Sequence, residues 1–237
     1  LPVIKELSKN HECNLYINLN KKIKFYHKHP AGNILINEKI FNMLLPLLKR
    51  QKYLNKVEKY ANQKIDVNFD LFRELPINNL FDNAKYASVL TGIYPDLNLK
   101  FLESENHKEI MNKIIIQRTF RYRNNFINFD FLNHYNDLFF VGTFEEYKDL
   151  KSEVKNLSFY ECKDFLDMAN VVKSSKFVLA NSSITFPIAE GLSKPRLLES
   201  CPDFPAAQPH GKNAFNFYFQ NNFEELFDYL NNLNLKD

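Results

Sequence analysis

Three stretches in the second half of the chain combine residue types that can hold an anion or a sugar. The first, Gln117-Arg118-Thr119-Phe120-Arg121-Tyr122-Arg123-Asn124, follows the apolar run Ile114-Ile115-Ile116. Guanidinium forks match phosphate geometry, and the interleaved rings offer a face to a base or a sugar. The competing reading is a solvated basic turn whose arginines pair with local carboxylates. The second is Gly142-Thr143-Phe144-Glu145-Glu146-Tyr147. Gly142 permits a sharp turn and a close approach of ligand to backbone, while Thr143 and Glu146 have the spacing of a capping box. The third runs from Ala180 through Asn181, Ser182, Ser183, Ile184 and Thr185 to Glu190, Gly191 and Leu192. A strand there ends in small hydroxyl and amide residues and enters a helix, where free N–H groups favour an anion. Asn181 or Ser182 acting as a plain N-cap is compatible with that chemistry. Glu190 and Glu199 stand close to strand–helix junctions and read either as site carboxylates or as surface charges.

Other candidates carry less. His27 and His29 have i, i+2 spacing without an evident third metal ligand. Asp66, Asp70 and Arg73 lie in or after an expected strand, able to act on an acceptor or to cap and pair locally. The sequence has no GxGxxG, P-loop or GxSxG pattern and only five glycines, which removes the usual dehydrogenase and NTPase signatures.

The elements that must position these residues alternate in type. Apolar spacing predicts a helix over Glu38–Lys49, and strands at Asn14–Leu19, Ile23–Tyr26, Tyr53–Tyr60 and Ile65–Phe69. Asn79–Thr91 reads as a helix ended by Gly92, and 95–107 as a polar connection. Beyond it, strands at Ile114–Ile116, Leu138–Val141, Leu157–Tyr160, Phe177–Ala180 and Arg196–Leu198 alternate with helices. Those helices are Glu145–Lys155, Asp164–Ser174, Thr185–Leu192 and Asn222–Leu230. This is the pattern of an α/β fold with parallel sheets covered on both faces. The boundaries divide the chain into lobes at 1–110 and 111–237.

The chain of 237 residues is long enough for two modest cores, and 45% hydrophobic with 25% charged residues argues against disorder. A net charge of +3 with dispersed lysines and arginines gives no basis for a nucleic-acid partner. No apolar run approaches a membrane span. Three cysteines, Cys13, Cys162 and Cys201, form no CxxC, and Cys162 reads as a buried, inert thiol. These features suggest a reducing, cytoplasmic setting, at most peripheral to the inner membrane.

The stretch Leu138–Pro195, with LFFVG, a helix DFLDMANVVKSS, the strand FVLA, the turn NSS and the helix ending IAEGLSKP, resembles the C-terminal lobe of heptosyltransferase-like (ADP-heptose:lipopolysaccharide) glycosyltransferases. Leu1-Pro2-Val3-Ile4-Lys5-Glu6-Leu7 looks like the first helix of that family with the preceding strand and Gly-Asp loop missing. The resemblance implies a GT-B fold of two Rossmann-like lobes, an acceptor-side lobe at 1–110 and a nucleotide-sugar-binding lobe at 111–237. It implies metal-independent transfer with the nucleotide-diphosphate sugar as co-substrate, and a glycan or lipid-linked acceptor of the cell envelope. Arg118, Arg121, Tyr122, Gly142, Thr143, Asn181, Ser182, Ser183, Thr185 and Glu190 would form the donor side. No general base is identified. Aligned on Pro195, Ser182-Ser183-Ile184 stand where the family usually carries Asp-Ser/Thr-Gly. A non-catalytic nucleotide- or sugar-binding protein of the same fold is the alternative, and a sugar-nucleotide epimerase is a third.

Overall fold

The computed structural model describes residues 1–22, 33–75 and 81–233. It is an α/β protein with two parallel sheets, one of two strands and one of six. In the first part, helix α1 (Pro2–Leu7) precedes strand β1 (Asn14–Ile17), helix α2 (Glu38–Lys49) and strand β2 (Lys56–Lys59). β1 and β2 pair in parallel around a small core of Leu48, Leu54 and Val57. Asn37 caps α2 by accepting the Ile40 N–H, so its start falls where the apolar spacing predicts.

Two expectations for this part fail. Ile65–Phe69 forms no strand; Asn68 accepts the Asp70 N–H and turns the chain into a 3-10 helix at Phe69–Glu74. A local side-chain bond there outcompetes a period-2 pattern that meets no partner strand among the described residues. The expected helix over Asn79–Thr91 is shorter, a 3-10 turn at Asn83–Lys85 followed by α3 (Tyr86–Thr91), because Asp82 caps the later start. Gly92 ends it in the left-handed conformation at φ 69°. The expected strand at Ile23–Tyr26 and the pair His27/His29 lie outside the described residues.

The second part runs β3 (Ile114–Gln117), β4 (Leu138–Val141), α4 (Phe144–Glu153), β5 (Ser158–Tyr160), α5 (Phe165–Ser174), β6 (Phe177–Ala180), α6 (Thr185–Gly191), β7 (Arg196–Glu199), β8 (Ala214–Phe217) and α7 (Gln220–Asn232). The strand order is β5-β4-β3-β6-β7-β8, all parallel. The chain winds outward from β3 in one direction, then returns beside β3 and winds outward in the other. That is the doubly wound Rossmann order, with its switch point between β3 and β6.

Alternate residues of these strands feed two cores. Ile114, Ile116, Leu138, Phe140 and Phe177 pack with Leu150 of α4 and Phe223 and Phe227 of α7. Ile115, Val141, Val178 and Leu198 pack on the other face with α5 and α6, joined there by Leu47 of α2. Full coverage on both faces is why these strands read as continuous apolar runs. β8 was not expected; at the sheet edge only its last residue, Phe217, is buried, Ala214, Phe215 and Asn216 are half-buried, and Asn216 interrupts the apolar pattern.

Residues 92–113 carry neither helix nor strand and run as a strap between the two parts. Phe101 and Leu102 N–H both donate to Gly191 O, at 2.8 and 2.7 Å. Gln51 exchanges two bonds with the Glu103 backbone, and Ser104 donates to Ala169 O. A methyl at Gly191 would stand 2.5 Å from Leu102 Cγ and 2.8 Å from Phe101 Cε2. Gly191→Ala is therefore expected to lower stability by about 1–3 kcal/mol through overpacking, measured by urea denaturation.

Candidate functional site

The carboxyl edge of the large sheet is where a doubly wound fold collects ligands. At the switch point itself, protein groups fill the crevice. Asn181 leaves β6 and reaches across to the loop after β3. Its Nδ2 donates to Thr119 O and Arg121 O, and its Oδ1 accepts from Thr119 N and Oγ1. Gln117 Oε1 accepts the Thr185 N–H. The two loops are thus stitched together by two amide side chains.

The loop 118–124 is held from three other directions. Arg118 is 5% exposed, and its Nε and Nη2 donate to the Glu199 carboxylate, itself 1% exposed, at 3.0–3.2 Å. The guanidinium also lies 4.2 Å over the Phe129 ring. Glu199 takes a further bond from Asn124 N at 2.8 Å. Arg123 pairs with Asp149 at 2.7 Å, and Glu146 accepts from Phe120 N at 3.4 Å. Two of the three arginines thus pair with carboxylates, as the competing reading of this stretch has it, but Arg118 does so in the interior rather than in solvent. Glu190 and Glu199 are both buried, which overturns their reading as surface charges.

Gly142 and Thr143 build the turn into α4. Gly142 has φ 143°, and a methyl there would come within 2.9 Å of Phe140 Cε1. Thr143 and Glu146 form a complete capping box. Arg121 and Tyr122 lie half-buried on the loop, the guanidinium 5.4 Å over the Tyr122 ring and that ring 5.0 Å from Phe204. Arg121 makes no ion pair among the described residues.

Ser182, Ser183 and Glu190 meet in a different place. They line a cavity of about 410 Å³ between the two parts of the chain, within the ~300–1,000 Å³ range of small-molecule pockets. Its walls are mostly apolar, with Leu44, Leu47 and Leu48 of α2 facing Phe186 and Ile188 of α6. Ser183 Oγ donates to Asn181 O. The Ser182 hydroxyl makes no hydrogen bond among the described residues and remains open to the cavity. Asp82 and His210 also line it. Neither carries a sequence signal: each sits in a polar, irregular segment, and only folding joins residues so far apart.

Glu190 ties the cavity wall to the sheet. It pairs with Arg196 of β7 and accepts the His210 N–H on both oxygens at 3.2 Å. Burial holds its carboxyl above the ordinary value of 4.5, against the opposing pull of Arg196 and the His210 N–H. The folded state therefore binds this proton more tightly than the unfolded chain. Stability from this group is greatest below pH 4.5 and declines as pH rises through the elevated folded value. Glu190→Gln is expected to flatten that stretch of the profile, measured by denaturant unfolding across the acid range.

Asp70 pairs locally with Arg73 at 3.2 Å and, across the fold, with Lys21 at 3.0 Å. Burial, reinforced by Asp167 and Asp164, pushes the Cys162 thiol up to about 12, which keeps it unreactive although it is only half-buried. Among the described residues, no group of three His, Cys, Asp or Glu is placed to hold a metal ion, and no helix is long and apolar enough to cross a membrane.

No protein-family profile matches the chain, and no curated protein matches it. Among solved structures it is similar to a glycosyl transferase family 9 protein from Veillonella parvula DSM 2008, at 12% identity and a TM-score of 0.45. The match covers 98% of this chain and 71% of that one.

Proposed function

We propose that this protein transfers a sugar from a nucleotide-diphosphate donor to a glycan or lipid-linked acceptor, in the manner of the heptosyltransferase-like enzymes that Leu138–Pro195 resembles. The observation that carries this reading is the cavity beside the turn leaving β6. A doubly wound sheet supplies one wall there, with the open Ser182 hydroxyl, and α2 of the first part supplies the other. A cleft shared by two α/β parts is suited to holding donor and acceptor against each other. In the proposed reaction an acceptor oxygen forms a bond to the anomeric carbon as the bond from that carbon to the diphosphate breaks. Ser182 binds the donor side. Arg121, on the adjoining loop, whose carbonyl accepts from Asn181 and which has no carboxylate partner among the described residues, supplies the cation for the leaving diphosphate from beyond the cavity wall. No metal is required in this scheme.

The second reading, a binding protein of the same fold without turnover, is favoured by one observation. The carboxylates at the carboxyl edge of the sheet, Glu146, Glu190 and Glu199, all accept from protein donors and so are engaged in holding the fold rather than in taking a proton. A panel of nucleoside diphosphates in thermal unfolding, followed by the matching nucleotide-sugars with glycan acceptors, separates the two. The expected result is stabilisation by at least one diphosphate, about 2.7 kcal/mol at a hundredfold excess over Kd, or roughly 5–11 °C in Tm for a chain of this size, with transfer from its sugar. Stabilisation without transfer selects the second reading. No stabilisation by any diphosphate rejects both.

A further inference from the structure

The cavity holds two buried polar atoms whose hydrogen-bonding capacity the protein leaves unused, Asp82 Oδ2 and His210 Nε2. They stand 2.9 Å apart, in ion-pair range but out of line for a hydrogen bond. Their surroundings are built. Asp82 Oδ1 accepts the Ala84 N–H at 3.0 Å, which fixes the carboxylate and leaves Oδ2 facing the imidazole. The Asn83 N–H donates to Ala206 O at 2.8 Å, drawing this segment against the loop that carries His210. The backbone of His210 is clamped on both sides: its N–H donates to Glu190, and its carbonyl accepts from Arg196. Asp82 is 8% exposed, and both residues line the cavity.

A carboxylate oxygen and a bare imidazole nitrogen repel at this distance, so the proton of the neutral ring belongs on Nε2. Nδ1 then keeps its lone pair, and it makes no hydrogen bond among the described residues. We infer that Asp82 and His210 form the general-base pair of this cavity, His210 accepting the proton of a ligand hydroxyl at Nδ1 and Asp82 orienting the ring and stabilising its charged form. The inference rests on the transfer reaction proposed above and supplies the base which that reaction lacks. The acceptor hydroxyl gives its proton to Nδ1, its oxygen pair forms the new bond to the anomeric carbon, and the pair of the broken bond leaves with the diphosphate. The imidazolium afterwards releases its proton to solvent. His210 is the catalytic residue and Asp82 the positioning residue. Among the described residues, the other charged or titratable groups facing the pair are Lys85, 3.8 Å from Asp82 Oδ2, the Tyr86 phenol, whose ionisation burial and Asp82 oppose, and the Glu190–Arg196 pair behind the His210 backbone.

Three measurements test this. His210→Gln is expected to lower transfer about 10²–10⁴-fold while stabilisation by nucleoside diphosphate is unchanged. In the wild type, kcat/KM rises with pH through one acid-side ionisation; in His210→Gln that limb is flat, and in Asp82→Asn kcat falls with the diphosphate shift retained. Nitrogen-15 spectra of the wild-type imidazole, which need no substrate and no variant, are expected to show the Nε2–H tautomer of His210. Transfer by His210→Gln within about threefold of wild type, or an Nδ1–H tautomer, overturns the pair and leaves the proposed transferase standing. If wild type transfers from no donor, the transferase reading fails, and the base assigned to it falls with it.

Discussion

Glu199→Ala is expected to lower the unfolding free energy by about 3–5 kcal/mol, because it removes the hydrogen-bonded carboxylate from a buried cation whose other carboxylate, Glu153, stands 4.0 Å away. Arg118 has almost no contact with water, and both nitrogens it directs at Glu199 would lose their acceptor together. The Asn124 N–H would lose its partner as well. A chain of this length should then melt roughly 6–20 °C lower. Differential scanning calorimetry of the purified variant measures this directly. Removing both charges, as in Arg118→Met with Glu199→Leu, is expected to be milder than the single change, because no uncompensated charge remains inside. A single variant indistinguishable from wild type would mean that loop 118–124 is held chiefly by Asn181, Glu146 and Asp149.

Phe223→Ala is expected to cost a similar amount, about 3–5 kcal/mol, by a different cause. Phe223 projects from α7 into the sheet face and is fully buried. Its ring stacks on Phe217 of β8 with centroids 4.1 Å apart, and meets Phe131 edge-on at 4.7 Å and Phe129 at 5.0 Å. Truncation removes one ring from contact with four others, Phe227 being the fourth at 6.2 Å, and leaves a cavity that rigid neighbours cannot fill. Because α7 and β8 close the edge of the sheet opposite β5, limited proteolysis of this variant should begin in the last part of the chain. Phe223→Leu, which keeps most of the volume, is expected to recover the larger share of the loss.

The second part of the fold was legible in the sequence because its signals are local and mutually consistent. Leu138–Val141 and Phe177–Ala180 are strands at the expected residues. The capping box of Thr143 and Glu146 forms as its spacing implies, and α5 begins one residue after its expected start at Asp164, which is its cap. Where the signal was a bare alternation, as at Ile65–Phe69, the local Asn68 cap turned the chain into a 3-10 helix instead. β8 went unread because an edge strand carries a diluted pattern.

The candidate site was legible only in part, and the reason is physical. Residue type and position after a strand identify which groups stand at the carboxyl edge of the sheet. They do not say whether those groups face a ligand or one another. Arg118 and Asn181 carry the chemistry expected of an anion site, yet partners brought by other strands and loops occupy them: Glu199 from β7, Thr119 and Arg121 from the loop after β3. Asp82 and His210 had no local signal, and became a pair because two loops close over the same cavity.

The sequence by itself determined the class of fold and most of its elements, since apolar periodicity, caps and turn residues act over a few positions and need no distant partner. The tertiary structure decided which polar groups are free to do chemistry. That choice depends on which carboxylate or amide is delivered to each donor, and on the burial that makes leaving one unpaired so costly.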